Sequence, residues 1–293
     1  MSTLATAADL ELQTMVQALP EVYQPIWGHP ELSEGASRSC DHRWAVIRRV
    51  CGRLAAELGR APRILDLGCA QGWFSLQLAQ TGARVHGYDL VAENVAVCQA
   101  LARRNPGLVV EFERAAIEEL VPRLGAGEYD LVLGLSVFHH ICAQRGQEYV
   151  RNLLAQLLTA VPHALLEMAL NSEKPAWAAA LPDDPGALLD AIPFFRVVSR
   201  HPTHLGVDRP LYFCSRTHWL LDGLEAFQLW GRLPNGRVFL SARAQAKLVG
   251  TGTAGAQELE LEAAWLASPP AADVQAHPVI LGHGGEQGHC WLV

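Results

Sequence analysis

The sequence predicts an α/β fold with a mostly parallel sheet, and three observations carry that prediction. Short β-type runs alternate with helix-type stretches from Arg63 onward. The first run, RILDL, stops at a glycine-rich turn that leads into a helical pattern. The run at 163–170 (HALLEMAL) is apolar, and the βαβα alternation as a whole implies a mostly parallel sheet with helices on both faces.

The elements follow in order. Arg63–Leu67 is a buried-strand run, Trp73–Gln80 has apolar residues at helical spacing, and residues 84–88 (RVHGY) are again strand-like. Ala92–Arg104 is read as a helix ended by Asn105-Pro106-Gly107. Residues 109–113 and 129–135 are further strands, 146–158 a helix, and 163–170 (HALLEMAL) a strand. Residues 171–192 break the rhythm with proline and acidic residues. They read as an excursion over the strand ends with a short helix at 186–191. Strands at 195–199 and 210–214 close this part.

After about Thr217 the texture changes. Residues 224–230, 237–240 and 245–249 are short β runs, 257–266 a helix ended by Ser268-Pro269-Pro270, and 279–281 and 290–293 final strands. The expected division is a first domain of 1–216 and a second of 217–293.

Composition narrows the class. Half of the 293 residues are hydrophobic and 18% are charged, which suits a packed core. The formal net charge is −7 and Lys and Arg form no run, which argues against nucleic acid as the partner. The N-terminus lacks the basic-then-apolar order of a secretory signal, and no stretch approaches the roughly 18 apolar residues of a membrane span. Seven scattered cysteines give neither a zinc spacing nor a disulfide framework. A cytoplasmic protein without a metal site is expected.

The strongest motif runs from Asp66 to Gly72 (DLGCAQG), between a strand and a helix. Ligands of open α/β sheets bind beyond the carboxyl ends of the strands, so this turn must admit one. Gly68 and Gly72 remove side chains there and permit backbone angles that other residues resist. Asp89 closes the next strand, where a carboxylate can accept hydrogen bonds from ribose hydroxyls. A dinucleotide site would carry GxGxxG; this chain has GxAxG, which fits S-adenosylmethionine, a ligand without pyrophosphate. Ile117 and Glu118 follow the third strand, where the adenine would lie. Leu135 and the His139–His140 pair follow the fourth, facing the reactive centre. One of the two histidines either packs beneath the cofactor or contacts the acceptor, and both readings stand.

Several segments together resemble the bifunctional O-antigen chain terminators: LPEVYQPIWGHPE (residues 19–31), Arg38–Cys40 with Arg43, ILDLGCAQGWFSLQLA, GLSVFHHI, LPDDP and RPLYFCS. The resemblance covers about residues 15–215. It implies a Rossmann-like class I methyltransferase joined to a sugar kinase, in which the kinase phosphorylates the end of a growing polysaccharide and the methyltransferase methylates that phosphate. By resemblance, Tyr23, Gln24 and Arg43 would close over the cofactor, with Gly68 against its methionine part, Asp89 on the ribose, Ile117 and Glu118 near the adenine and Leu135 on the floor. By chemistry alone, Arg43 could bind the methionine carboxylate and Tyr23 could shield the sulfonium. Without the family, a surface arginine and a buried tyrosine are the plainer readings.

The second part fits a small α+β kinase N-lobe. Lys247 sits mid-strand, where a kinase places the lysine for ATP phosphates, and Glu262 on the next helix is placed like its glutamate partner. A surface lysine and a solvated helix face would look the same in sequence. No HRD-like or DFG-like segment follows, so kinase activity is not expected of this chain. The apolar strand 290–293 would be left at an edge, so the chain reads as a piece of a longer protein. In this family the missing part connects the enzyme to the polymerase and the inner membrane.

Methyl transfer from a sulfonium is an in-line displacement, and positioning can supply roughly 7–11 kcal/mol of its barrier. A sugar hydroxyl needs a general base. A phosphate monoester, with a second pKa of about 6, needs cations instead. Arg196, Arg209, His139 and His140 are the candidates for holding the acceptor. A methyltransferase acting on a small-molecule or lipid hydroxyl is the alternative. An NAD-dependent oxidoreductase and a non-catalytic scaffold are the remaining rivals.

Overall fold

The computed structural model describes residues 7–220, 226–233, 236–240, 244–250, 253–267, 283–286 and 289–292. The chain divides into two compact units, Met1–Arg216 and Thr217–Val293.

The first unit is built on strands β1 (Arg63–Leu67), β2 (Arg84–Asp89), β3 (Val110–Arg114), β4 (Leu131–Leu135), β5 (His163–Glu167), β6 (Phe194–Pro202) and β7 (Asp208–Ser215). They form one seven-stranded sheet in the order β3-β2-β1-β4-β5-β7-β6. β1 to β5 pair in parallel. β7 runs antiparallel between β5 and β6. The reversal between β1 and β4 puts the ends of β1, β2 and β4 side by side, the usual ligand position in such sheets. This strand order is that of a Rossmann-like methyltransferase fold.

Eight helices of the described residues include α1 (Ala7–Gln17), α2 (Asp41–Leu58), α3 (Trp73–Gln80), α4 (Ala92–Arg104), α5 (Ile117–Leu120), α6 (Phe138–Arg145), α7 (Gln147–Ala160) and, in the second unit, α8 (Ala254–Ala267). One core cluster packs α5, α6 and α7 around Leu65, Leu67, Val132 and Leu166. Another gathers Leu12 and Val16 of α1, Leu76 of α3 and Val97 and Leu101 of α4 around Phe112. Each such aliphatic side chain contributes about 1.5–3 kcal/mol on full burial. The Phe112 ring explains a glycine in mid-strand: a Cβ on Gly87 would stand 2.6 Å from its Cδ1.

Several expectations need correction. α1 and α2 are not anticipated by the strand–helix alternation, which starts at Arg63. In α2 the buried Arg43, Ile47, Val50, Cys51 and Leu54 make one helical stripe, and the buried arginine disguises it in sequence. The expected helix at 186–191 is a 3₁₀ turn, Pro185–Leu188, opened by Asp184 Oδ1 accepting from Gly186 N at 2.9 Å. The strand expected over 163–170 ends at Glu167; Met168 N still bonds Pro210 O of β7 at 3.0 Å, and the chain then turns at Leu170, whose O accepts from Glu173 N at 3.2 Å.

The second unit is a six-stranded sheet in the order β12-β13-β11-β10-β9-β8, with α8 beside it. Its strands are β8 (His218–Leu220), β9 (Ala226–Leu233), β10 (Gly236–Leu240), β11 (Gln245–Gly250), β12 (His283–Glu286) and β13 (His289–Leu292). β13 pairs with both β11 and β12. The strand expected at an exposed edge is therefore an interior one. The strand expected at 279–281 and the helix terminator at 268–270 lie outside the described residues. Among the described residues, no helix is long and apolar enough to cross a membrane.

Candidate active site

β1 runs into a turn whose shape its own backbone dictates. Gly68 N and Cys69 N both donate to Tyr88 O, at 2.8 and 3.0 Å, which pins the turn to β2. Gly68, Ala70 and Gly72 all have positive φ (68°, 49° and 72°). Gly68 is further constrained, because a Cβ there would lie 2.9 Å from Val137 Cγ2. The turn thus opens a cleft of about 610 Å³ at the strand ends.

Nine of the residues anticipated from sequence line this cleft: Tyr23, Gly68, Asp89, Ile117 and Glu118, together with Leu135, His139, His140 and Arg209. Asp89 is fixed on its side. Its Oδ2 accepts from Ala70 N at 2.8 Å, and its Oδ1 accepts from Val91 N at 2.9 Å and Asn94 Nδ2 at 3.2 Å. A carboxylate has about four acceptor positions, so one is left for a ligand hydroxyl. Two carboxylates, Asp89 and Glu118, and the apolar Ile117 stand at one part of the wall. Gly68, with no side chain, lets a ligand lie against backbone. This donor and acceptor set suits an adenosine that carries a charged tail.

The N-terminal arm is latched to the turn. Gln24 N donates to Gln71 Oε1 at 2.9 Å, and Gln24 Oε1 accepts from Trp73 N at 3.0 Å, an N–H of the first turn of α3 that has no partner within the helix. Gln71 Nε2 in turn donates to Glu21 O at 3.2 Å and to Asn94 Oδ1 at 2.7 Å. Gln24 is therefore a clamp behind the cleft and does not line it. Gly72 likewise stands behind the wall, where a Cβ would meet Cys98 Sγ at 2.8 Å.

Three more residues anticipated for the site lie elsewhere. Arg43 is buried, with Nη1 donating to Glu167 Oε2 at 3.3 Å, Nη2 donating to Ser39 O at 3.0 Å, and its guanidinium over the Phe74 ring at 5.0 Å. Asp66 is buried beneath the turn and accepts from Ser75 Oγ at 2.6 Å. Burial raises its pKa to about 7, against the opposing hydrogen bond from Ser75. Arg196 is buried on β6, opposite Phe213 of β7, and is not among the residues that line the cleft.

What sequence reasoning missed is the charge network behind the floor. Arg38 Nη2 donates to Glu167 Oε1 at 2.9 Å, and Arg38 Nη1 lies 3.3 Å from both Tyr23 Oη and Ser136 Oγ. Ser136 lines the cleft, has φ 62°, and donates from Oγ to Glu167 Oε2. Burial alone would raise the pKa of Glu167, but Arg43 and Arg38 outweigh it and hold the carboxylate below its usual range. Two arginines share one glutamate here, leaving one positive charge in excess. A glutamate ending the apolar run HALLE was the available signal, since a buried carboxylate requires partners.

At the other end of the cleft, His139 packs against His140 and Trp177, with ring centroids 4.1 and 4.2 Å away. Burial, then His140, Arg209 and Arg38, push the His139 pKa down to about 2, so the imidazole is neutral. Arg209 is held by Glu173, and its guanidinium lies over the Trp177 ring at 5.5 Å. Trp177 and Glu173 come from the 171–192 excursion and were not anticipated. Outside the cleft, His86, Glu111 and Glu113 bring potential ligand atoms within 4.8 Å of one another. In the second unit, Lys247 of β11 pairs with Glu262 of α8.

Comparison with known proteins adds to this geometry. Residues 64–159 match the family described as a methyltransferase domain. Over 97% of its length the chain is 37% identical to the O-antigen chain terminator bifunctional methyltransferase/kinase WbdD of Escherichia coli, of which it covers 43%. The chain thus spans less than half the length of that curated relative. A crystal structure of monomeric WbdD superposes with a TM-score of 0.79 at 36% identity, covering 95% of this chain and 71% of that one. Another, in complex with the kinase inhibitor LY294002, gives a TM-score of 0.82 at 37% identity over 96% and 67% of the respective chains. A ubiquinone biosynthesis O-methyltransferase of Bordetella avium is 35% identical over 79 residues, 27% of this chain.

Proposed function

The chain belongs to the family of bifunctional O-antigen chain-terminator methyltransferase/kinases, and on that premise we propose that its first unit methylates the terminal phosphate of a bacterial O-antigen polysaccharide, stopping chain growth. S-adenosylmethionine is the methyl donor in this reading. The observation that carries it is the pairing, in one cleft, of a nucleoside-type wall around Asp89 with a wall of neutral His139 and Arg209.

The cofactor supplies an electrophilic methyl group on a sulfonium. Asp89, already oriented by Ala70 N, would accept a hydrogen bond from a ribose hydroxyl, and Ile117 and Glu118 would flank the base. Tyr23, tied through Arg38 to Glu167, covers the cleft from the N-terminal arm. The cofactor roles of Gln24, Arg43, Asp66 and Gly72 become indirect: they fix the arm, the floor and the turn. Arg209 and His139 orient the acceptor. A phosphate oxygen is anionic near neutral pH, so neither histidine has to remove a proton. Arg196, which does not line the cleft, is left out of this acceptor hold.

The second unit is read as an N-lobe-like piece in which Lys247 is oriented by Glu262 toward nucleotide phosphates. Phosphorylation, a polymerase partner and peripheral attachment to the inner membrane belong, in this proposal, to the longer protein.

Transfer of labelled methyl to an oligosaccharide with and without a terminal phosphate tests the reading. Label on the phosphorylated sugar alone is expected. Equal label on the unphosphorylated sugar would instead favour a hydroxyl acceptor, and no label on either, with cofactor bound, would discard the acceptor.

A further inference from the structure

The proposed reaction leaves open how an anionic acceptor is held against the donor. We propose that Glu173 is the positioning residue of the acceptor subsite, presenting Arg209, beside His139, to an anionic oxygen of a phosphomonoester. This inference rests on the methyl-transfer reading and adds a residue to it.

Geometry carries the argument. Arg209 Nε donates to Glu173 Oε1 at 2.8 Å and Nη2 donates to Glu173 Oε2 at 2.7 Å, and the two side chains are only 4% and 0% exposed. This bidentate pair consumes one edge of the guanidinium. The fork has five N–H donors in a fixed plane, so those on Nη1 are held in a defined direction by a residue that need not touch the ligand. Glu173 is itself immobilised: its N donates to Leu170 O at 3.2 Å, and Leu170 N donates back to Glu173 Oε1 at 2.8 Å. The carboxylate therefore closes a turn and fixes an arginine at once. Trp177 packs against both Arg209 and His139, which joins them into one wall.

A second, independent observation points to a ligand. His139 is 6% exposed, it lines the cleft, and its Nδ1 makes no hydrogen bond in the structure. A buried polar atom left unsatisfied is costly, so such atoms are candidates for ligand contact. As a neutral imidazole protonated at Nδ1, His139 would donate to an oxyanion.

Charge is divided along the cleft. Asp89 and Glu118 make the nucleoside wall acidic, whereas the neutral Arg209–Glu173 pair and the Arg38–Glu167–Arg43 group behind Ser136, positive by one, leave the cations to the remainder. Phosphate and carboxylate share the geometry that a guanidinium recognises, so the test separates them.

The experiment uses the full chain and measures methyl transfer to an oligosaccharide bearing a terminal phosphate or a terminal carboxylate. Cofactor affinity is read in parallel by calorimetry for wild type, Glu173→Gln and Arg209→Lys. Both variants should bind cofactor within about twofold of wild type and raise KM for the phosphorylated acceptor about tenfold or more, with a smaller change in kcat. A purely structural role would lower the melting temperature and leave that KM unchanged. If Glu173→Gln does not fold, Arg209→Lys carries the test, since it keeps the charge while losing the fork. Wild-type transfer to the phosphorylated sugar with unchanged KM in the folded variants overturns this inference alone. Preference for the carboxylate overturns the ligand assignment. Absence of wild-type transfer to any anionic acceptor overturns the underlying reading as well.

Discussion

Arg38 Nη2 donates to Glu167 Oε1 at 2.9 Å, across 129 positions of sequence and with both side chains at most 2% exposed. Arg43 and Ser136 meet the other oxygen of the same carboxylate. The N-terminal arm, α2, β4 and β5 therefore converge on one buried charge. Removing it leaves two buried guanidiniums without a counter-charge, and breaking a buried pair on one side typically costs about 3–5 kcal/mol. Glu167→Ala should lose about that much in urea denaturation. A change under about 1 kcal/mol would mean that water reaches the arginines and that the network is not structural.

Asp89→Ala should weaken S-adenosylmethionine binding by about 10- to 100-fold, since a charged hydrogen bond contributes about 1.5–3 kcal/mol. The same change releases Ala70 N, Val91 N and Asn94 Nδ2, so the turn itself should loosen. Calorimetry with unchanged affinity would remove Asp89 from the site.

The two motif glycines should respond differently to alanine. Both have positive φ, a conformation that costs a side chain roughly 1–2 kcal/mol. Gly68 lines the cleft, whereas Gly72 backs onto Cys98 and Phe112. Gly68→Ala should reduce cofactor affinity more than it reduces melting temperature, and Gly72→Ala the reverse. Equal effects of both on affinity would contradict this assignment.

Asp66, with a folded pKa of about 7 caused by burial, keeps its proton in the folded state where the unfolded chain has released it. Stability then falls as pH rises through the window between the ordinary carboxylate value and about 7, and the penalty is complete above it. Asp66→Asn should raise the melting temperature more at pH 8 than at pH 5. A pH-independent difference would refute the raised pKa.

His139 is displaced in the opposite sense. Burial holds it neutral down to about pH 2, while an unfolded histidine gains a proton near 6.5. The unfolded state binds the extra proton, so stability falls as pH drops below about 6.5. His139→Gln should move the acid-unfolding midpoint to lower pH, and an unmoved midpoint would count against a neutral buried histidine.

Local order made part of the site legible. Gly68 directly follows a strand, Asp89 and Leu135 end strands and Ile117 begins a helix, and a parallel sheet carries those ends to one edge whatever the loops do. Gln24, Arg43, Asp66 and Gly72 were named for the cleft but stand behind it, because chemistry in sequence does not say which side of a wall a group occupies. Arg196 is not among the residues that line the cleft: its Cα pairs with Phe213 of β7, within the antiparallel part of the sheet. Glu173 and Trp177 lay in a stretch read only as an excursion.

The sequence by itself determined the strand–turn–helix order, the glycine turn, the acidic residue after it and the family, because each depends on neighbours a few residues apart or on motifs kept in line. Only the tertiary structure decided which charges meet. Arg38 reaches Glu167 and Arg209 reaches Glu173 across 129 and 36 positions. Those pairings are fixed by strand order, register and burial, and no periodicity of the chain encodes them.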